Sequence, residues 1–252
     1  MARKKQPLHL VEGENSPSLT IEKSKLCRVK YDDLIKMEPM NEKQREFFKL
    51  YDKQTTATLL HGVAGTGKTF IALYKAIEEV LSATTVYRKI IIVRSAVPSR
   101  EMGFLPGDEK EKAEVYELPY VQIFNELVNH IQPYVRLQEQ KIISFITTSF
   151  IRGVTLDGAV VIVDECQNMS DMELNTIMTR IGRDSKVIFC GDFRQTDLNK
   201  SYDKSGLLKF MSIAELMPSF KTIEFSIQDI VRSELVKEYI IARLEYEDGL
   251  AA

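Results

Sequence analysis

The sequence predicts an α/β domain in which a mostly parallel sheet is covered by helices on both faces. The runs Ile-Ile-Ile-Val at 90–93 and Ala-Val-Val-Ile-Val at 159–163 are apolar at every position. Such runs are typical of parallel strands that are buried on both sides. Strand-length runs alternate with longer segments of helical character, as βαβ crossovers require.

The remaining elements follow from local patterns. Residues 1–40 are polar and form a predicted N-terminal extension with some strand character at 26–31, and the domain itself is predicted over 41–252. Asn41 followed by Gln44 fits a capping box that begins a helix ending near Asp52. Further predicted strands lie at 56–61, 89–93, 142–147, 159–163, 186–190 and 222–225, and further predicted helices at 67–81, 119–132, 171–181 and 233–246.

The segment 95–118 contains two prolines and two glycines and is predicted as a long loop, of a length that is usually functional or mobile, with Pro119 near the start of the next helix. It combines Glu-Lys-Glu-Lys with further glutamates, so it lacks the basic, aromatic-interleaved character of a track for single-stranded nucleic acid.

Composition restricts the location and the partners. Three scattered cysteines without a CxxC spacing favour the reducing cytoplasm over a disulfide framework or a zinc site. The apolar runs are too short to span a membrane, and the N-terminus has no secretory signal. We therefore expect a cytoplasmic protein (in the host cytoplasm if phage-encoded) with no membrane partner. A net charge of -2 gives no global positive field, although a local basic patch is compatible with it.

Residues 62–69, Gly-Val-Ala-Gly-Thr-Gly-Lys-Thr, match the Walker A or P-loop pattern G-x-x-x-x-G-K-[S/T] between a predicted strand and a predicted helix. Glycines allow backbone N–H groups to surround phosphate oxygens at the N-terminus of the helix. Lys68 is expected to reach the β- and γ-phosphates, and the Thr69 hydroxyl to bind Mg²⁺. The predicted nucleotide-binding residues are Gly62, Val63, Ala64, Gly65, Thr66, Gly67, Lys68, Thr69 and Phe70.

Carboxylates follow the buried run at 159–163. Asp164 is expected to support Mg²⁺ through its water shell, and Glu165 to act as a general base on an attacking water. The alternative is an acidic pair that merely begins the next loop. Gln195 follows another predicted strand at the same edge of the sheet and is expected to contact the γ-phosphate or the water. A turn built on Gly191 and Asp192 is a compatible alternative there.

Together these segments resemble a known family. The motifs at 62–69, 163–168 and 191–195 resemble motifs I, II and III of superfamily 1 helicases, and more closely those of the PhoH-like ATPases of bacteria and phages. Three other segments resemble patterns of that family: Arg-Ser-Ala-Val-Pro with Met-Gly-Phe-Leu-Pro-Gly at 94–107, Phe-Ile-Arg-Gly-Val-Thr-Leu at 150–156, and Asp-Ile-Val-Arg-Ser-Glu-Leu-Val at 229–236.

The resemblance covers about residues 40–246 and implies a single RecA-like P-loop NTPase domain that hydrolyses ATP with Mg²⁺. The sequence departs from the family pattern at Ser95, Val154, Cys166 and Ser233, which leaves the nucleotide motifs intact.

Four further residues acquire roles from the resemblance. Gln44 would lie near the adenine, as in the helicase Q motif, although its capping-box role explains it equally well. Arg232 is a candidate arginine finger or else a surface arginine at the start of the last helix. Arg94 and Arg152 would face phosphate or nucleic acid, or form ion pairs.

Only one lobe of a two-lobed helicase is expected from this chain, so any finger comes from Arg232 or from another subunit. We therefore expect a homo-oligomer, with a hexameric ring as the form that the resemblance implies. Two functions remain open: an ATPase coupled to remodelling of RNA or single-stranded DNA, and a nucleotide-dependent switch that binds no nucleic acid. A small-molecule kinase is disfavoured because Glu165 and Gln195 suit the activation of water.

Overall fold

Six parallel strands form the sheet in a computed structural model that describes residues 28–53, 55–95, 109–192 and 201–250. Their order across the sheet is β3-β2-β4-β5-β1-β6, and each strand runs parallel to its neighbours. The predicted α/β fold class, a parallel sheet with helices on both faces, is confirmed. The strands are β1 (Ala57–Gly62), β2 (Lys89–Arg94), β3 (Ile143–Thr147), β4 (Ala159–Asp164), β5 (Lys186–Gly191) and β6 (Phe220–Phe225).

The central strands are buried on both faces, which explains why their sequences are apolar throughout. In β4, Val160 and Ile162 point into one apolar cluster, whereas Val161 and Val163 point into the other. All six residues of this strand are buried. The alternation of side chains along a strand thus supplies both layers of the core.

Helices cover both faces of the sheet, as predicted. Helices α1 to α4 pack on one face, through residues such as Phe47, Ile77 and Leu137, and α5 and α6 pack on the other, through Leu174 and Phe210. Within the described ranges, no helix is both long and apolar enough to cross a membrane. The helices are α1 (Glu42–Asp52), α2 (Lys68–Leu81), α3 (Glu109–Leu127), α4 (Pro133–Glu139), α5 (Asp171–Met178), α6 (Ser201–Glu215) and α7 (Glu234–Leu250).

Helix α3 corrects the predicted long loop at 95–118. Residues 109–118 are helical, and Pro119 lies inside the helix rather than near its start; residues 96–108 lie outside the described residues. Tyr120, Phe124 and Leu127 are spaced at helical intervals and are fully buried, so core packing outweighs the cost of the proline. The helix does not continue to residue 132, because Gln132 has a left-handed backbone and Pro133 begins α4.

The segment before α1 also differs from its prediction. No strand forms over 28–31 in the described chain, and a 3₁₀ turn at Tyr31–Asp33 takes its place. The Asp33 carboxylate accepts a 2.8 Å hydrogen bond from the backbone N–H of Lys30, which favours a turn. Val29 and Leu34 are buried against the core, so residues 28–34 of the predicted extension pack on the domain. The boundary at residue 41 stays a prediction.

Helix α6, which the sequence did not predict, approaches the start of α5 very closely at Gly206. A Cβ atom at this position would lie 2.5 Å from the backbone nitrogen of Asp171 and 3.1 Å from its Cα. Both are backbone atoms, which cannot rotate away as a side chain does. Gly206 therefore sets the separation of α5 and α6.

We expect Gly206→Ala to lower the free energy of unfolding by about 1–3 kcal/mol, since the added methyl group forces the two helices apart. The sign of this change is informative, because at an uncrowded helix position alanine stabilises the helix by about 1 kcal/mol relative to glycine. Gly249→Ala in α7 is the matched control: a Cβ there has no neighbour within 4 Å, so stability should be unchanged or raised. Urea unfolding measures both variants, and an equal gain for both would contradict the close approach.

Candidate functional site

The carboxyl ends of the strands meet at one edge of the sheet, around a cavity of about 370 Å³. The register brings Arg94 at the end of β2 opposite Asp164 at the end of β4. The P-loop follows β1, which pairs with β5 on one side and β6 on the other. The cavity is lined by Ala64, Gly65, Gly67, Lys68, Thr69, Phe70, Pro119, Gln122, Ile123, Glu126, Asp164, Glu165, Cys190, Gly191, Asp192 and Arg232.

The glycines of the P-loop are required by its backbone path. Gly62, Gly65 and Gly67 have φ values of 116°, 77° and 80°, a region that side chains disfavour. A Cβ at Gly62 would lie 2.0 Å from the carbonyl oxygen of Phe225, which accepts a 3.0 Å hydrogen bond from the N–H of Val63. The start of the loop is therefore fixed against β6.

Helix α2 begins directly after the loop. Its N-cap, Gly67, offers no side-chain acceptor to the first turn. The N–H groups at this helix end are therefore available to an anion, and the helix dipole favours negative charge there.

Lys68 lies in the cavity with its ammonium group turned back over the loop. Its Nζ donates to the carbonyl oxygens of Gly62 at 2.9 Å and Val63 at 2.8 Å, and lies 3.4 Å from the Thr66 hydroxyl. Burial lowers the pKa of Lys68, and the nearby Asp192 carboxylate opposes that effect. The amine is thus a buried cation at the predicted phosphate position.

Two motifs that are 95 residues apart meet at Thr69 and Asp164. The Thr69 hydroxyl donates to Asp164 Oδ1 at 2.7 Å, and the Tyr120 hydroxyl donates to Asp164 Oδ2 at 2.8 Å. Asp164 is only 5% exposed. Each oxygen of this carboxylate therefore has its own hydroxyl donor.

Glu165 follows in a left-handed conformation with φ of 52° and also lines the cavity. Burial raises the pKa of Glu165, and the charge of Asp164 adds to this effect. The side-chain amide of Gln167 donates to Glu165 Oε2 at 2.6 Å and accepts from the backbone N–H of Asp192 at 3.1 Å. Gln167 thereby links the ends of β4 and β5. No sequence pattern predicted a role for Gln167, although its place two residues after Glu165 was a usable signal.

Gln44 connects α1 to the P-loop. The Asn41 side chain accepts from the Gln44 backbone N–H at 2.8 Å, so the predicted N-cap forms. Gln44 Oε1 accepts from the N–H of Met40, rather than from Asn41 as a capping box requires, and its Nε2 donates to the Thr66 carbonyl at 3.0 Å. Both ends of its amide thus bond to backbone atoms. Contact with adenine stays a prediction.

Arg232 lies beside the P-loop of its own chain. The backbone N–H of Val231 donates to the carbonyl of Gly65 at 3.0 Å. A Cβ at Gly65 would lie 3.0 Å from the Arg232 Cγ and 3.3 Å from Ile240 of α7. The exposed Arg232 therefore forms part of the cavity wall.

The two other arginines differ in position. Arg94 lies with its guanidinium 5.7 Å from the centre of the Tyr116 ring. Burial by itself lowers the pKa of Arg94, but Tyr120 and the two neighbouring carboxylates outweigh it, so its pKa is raised. Arg152 is exposed, outside the cavity lining, and donates to the Met172 sulfur at 3.2 Å. The predicted Gln195 lies outside the described residues.

The wall opposite the P-loop comes from α3, through Pro119, Gln122, Ile123 and Glu126. No sequence pattern predicted a function for these side chains. They are separated by about one helical turn, which places them on one face of the helix, but only the packing of α3 shows that this face meets the P-loop.

The solved structures with detectable similarity include the large terminase of a thermophilic bacteriophage in complex with ADP. The two structures superpose with a TM-score of 0.49 and 14% sequence identity. The aligned part covers 80% of this chain and 49% of the terminase chain. Unliganded Pif1 from a Bacteroides species has a TM-score of 0.39 and 15% identity, and covers 79% of this chain and 43% of the Pif1 chain.

Sequence relatives are more informative. A PhoH-like protein of Bacillus subtilis (strain 168) is 39% identical over 184 residues, which is 72% of this chain and 56% of the relative. A PhoH-like protein of Synechocystis is 32% identical over 233 residues, 91% of this chain and 68% of the relative. Protein PhoH of Escherichia coli K12 is 31% identical over 204 residues, 80% of this chain and 56% of the relative.

This chain thus spans little more than half the length of the Bacillus and Escherichia relatives. The model of one protein family, described as PhoH-like protein, matches residues 36–243, which contain every described residue of the candidate site. The chain therefore belongs to the PhoH-like protein family.

Proposed function

We propose that the chain binds ATP with Mg²⁺ and hydrolyses it. The observation that carries this proposal is the 2.7 Å contact between Thr69 and Asp164 in a cavity that Lys68 and Glu165 also line. A phosphate loop alone would support only nucleotide binding. A carboxylate pair beside its threonine supplies the groups for a metal and for a base.

The donor set suits magnesium. A hydroxyl and a carboxylate oxygen are hard ligands, and Mg²⁺ usually keeps several waters and takes further oxygens from substrate phosphates. Within the described residues, no group of three or more His, Cys, Asp or Glu side chains is placed to hold a metal ion, and a P-loop site needs none. When bound, Mg²⁺ neutralises charge on the β- and γ-phosphates, with Thr69 and Asp164 as the residues that hold it.

Residues of the chain then account for binding and reaction. The N–H groups of the P-loop and the Lys68 ammonium group bind the triphosphate. To do so, the ammonium group exchanges its hydrogen bonds to the carbonyls of Gly62 and Val63 for bonds to phosphate oxygens. An attacking water gives its proton to Glu165 and forms a bond to the γ-phosphorus, and the bond to the β–γ bridging oxygen breaks to release ADP. The raised pKa of Glu165 makes it a stronger base than a solvated glutamate. Gln167 orients it, and Gln195 contacts the γ-phosphate or the water.

Gln44 and Arg232 complete the proposed nucleotide site. Gln44 either contacts the adenine or holds the P-loop in place. Its hydrogen bond to the Thr66 carbonyl supports the second role. Arg232 stabilises the negative charge of the transition state in its own subunit, and its position beside Gly65 supports this role.

We further propose a homo-oligomer. Exposed apolar side chains on α7 next to Arg232, among them Leu235 and Tyr239, support self-association near the site.

Coupling to RNA or single-stranded DNA is the proposed use of the hydrolysis. Phe150 is 57% exposed and lies two residues before the exposed Arg152, just after the carboxyl end of β3. An exposed aromatic ring and an exposed arginine close together in sequence supply a stacking surface and a positive charge, the two features that bind unpaired bases. This pair favours a nucleic-acid partner over a switch that binds none.

We expect Glu165→Gln to reduce ATP turnover at least about tenfold while ATP binding persists, because the amide cannot accept the proton. Phosphate release and equilibrium binding of ATP measure the two effects. Glu117→Gln is a matched control, since that α3 carboxylate bonds to Tyr134 and Gln138 away from the cavity. Equal turnover in wild type and Glu165→Gln would remove Glu165 from this role.

Arg232→Ala should lower turnover by at least about tenfold, as loss of an arginine finger does. Mixing it with Lys68→Ala tests whether the arginine acts in cis. If Arg232 served a neighbouring subunit, a mixed oligomer would regain activity, because Arg232→Ala sites would receive the arginine of their Lys68→Ala neighbours. We expect no regain. Recovery on mixing would place the finger in trans.

Light scattering should give a mass above that of the monomer at micromolar concentration, with or without ATP and Mg²⁺. A monomer under both conditions would contradict the proposed homo-oligomer. Mixing the Arg232→Ala and Lys68→Ala variants could then restore no activity, because no site would be shared between subunits.

Single-stranded RNA or DNA should stimulate ATP hydrolysis, and Phe150→Ala should weaken the stimulation without changing the basal rate, because the ring lies outside the ATP cavity. Val154→Ala, at another exposed apolar position on the same segment, is the control and should keep the stimulation. A wild-type rate that is insensitive to both nucleic acids would favour the nucleotide-dependent switch.

A further inference from the structure

Asp164 is held from two sides, and only one of them belongs to the motifs already discussed. Thr69 bonds to Oδ1, on the side of the P-loop, whereas the hydroxyl of Tyr120 bonds to Oδ2 at 2.8 Å. Tyr120 is 44 residues away in sequence, on α3. The second donor therefore comes from the helix that forms the opposite wall of the cavity.

Tyr120 has little freedom to take another position. Its side chain is fully buried, and its ring lies 5.9 Å from that of Phe145 in β3, centre to centre. A phenol keeps its proton at neutral pH and can donate it to the Asp164 carboxylate. The hydroxyl is thus a permanent donor at a fixed place.

A carboxylate can rotate about the Cβ–Cγ bond. A fixed donor on one oxygen holds the plane of the group and so keeps the other oxygen directed at Thr69. Groups that orient a metal ligand in this way commonly affect metal affinity by about 10- to 100-fold. The hydrogen bond from Tyr120 has the geometry for that task.

We propose that Tyr120 is a positioning residue for the metal-binding carboxylate, and that it couples the position of helix α3 to metal binding. The inference rests on the proposed function, in which Asp164 supports Mg²⁺. Pro119 and Ile123, which flank Tyr120 on the same helix, line the cavity. A displacement of α3 would therefore alter the nucleotide wall and the orientation of Asp164 together.

Tyr120→Phe tests the proposal, because it removes the hydroxyl and keeps the buried ring. Tyr134→Phe is the matched control: that tyrosine is also buried, and its hydroxyl donates to a carboxylate, Glu117, at 2.6 Å. Binding of the fluorescent nucleotide mant-ADP is measured in EDTA and during a Mg²⁺ titration. Urea unfolding of each protein without nucleotide reports the stability of the fold.

We expect Tyr120→Phe to raise the Mg²⁺ concentration for half-maximal effect about tenfold, while its affinity for mant-ADP in EDTA stays within about twofold of wild type. Tyr134→Phe should match wild type in both. A Tyr120→Phe variant that loses stability and metal-free affinity, without a Mg²⁺ shift beyond that of Tyr134→Phe, would overturn the positioning role.

Asp164→Asn separates this inference from the proposed function. If it abolishes the Mg²⁺ effect and Tyr120→Phe leaves that effect unchanged, the inference fails and the proposed metal site stands. If wild type shows no Mg²⁺ effect, or Asp164→Asn retains it, both fail.

Discussion

The hydrogen bond between Thr69 and Asp164 is the contact on which the rest of the site depends. It joins the first turn of α2 to the end of β4, across 95 residues of sequence. Parallel pairing makes it possible, because β1 and β4 both pair with β5 and end at the same edge of the sheet. The apolar strands therefore supply stability and also bring the threonine to the carboxylate.

Several elements then hold this arrangement from outside. Gln44 on α1 bonds to the loop at Thr66, Phe225 on β6 fixes its start, and the backbone before α7 bonds to Gly65. Tyr120 on α3 and Gln167 after β4 orient the two carboxylates. A P-loop with three glycines has a flexible backbone, and these contacts hold it in place before any ligand binds. Preorganised dipoles of this kind are the main source of electrostatic catalysis.

The sequence was sufficient for the parts that local patterns encode. Glycine spacing and the Lys68-Thr69 pair predict the P-loop, and apolar runs predict the strands that place Asp164. The contact between Tyr120 and Asp164 joins residues 44 positions apart, and the contact between Gln167 and Asp192 joins residues 25 positions apart, so no local pattern contains either of them. Helix α3 was partly missed because Pro119 and the charged residues before it conceal the helical spacing of Tyr120, Phe124 and Leu127. The catalytic and ligand-binding roles of all the candidate site residues, Gln44, Arg232 and Gln195 among them, stay predictions.

The most direct test of the central claim is phosphate release from ATP by the purified chain, measured in Mg²⁺ and in EDTA for wild type and Lys68→Ala. The arrangement of Lys68, Thr69, Asp164 and Glu165 predicts release by wild type in Mg²⁺, at least about tenfold less in EDTA, and a similar loss in Lys68→Ala. Release at equal rates in EDTA, or equally by Lys68→Ala, would contradict it. Absence of release from wild type that binds ATP and Mg²⁺ would do the same.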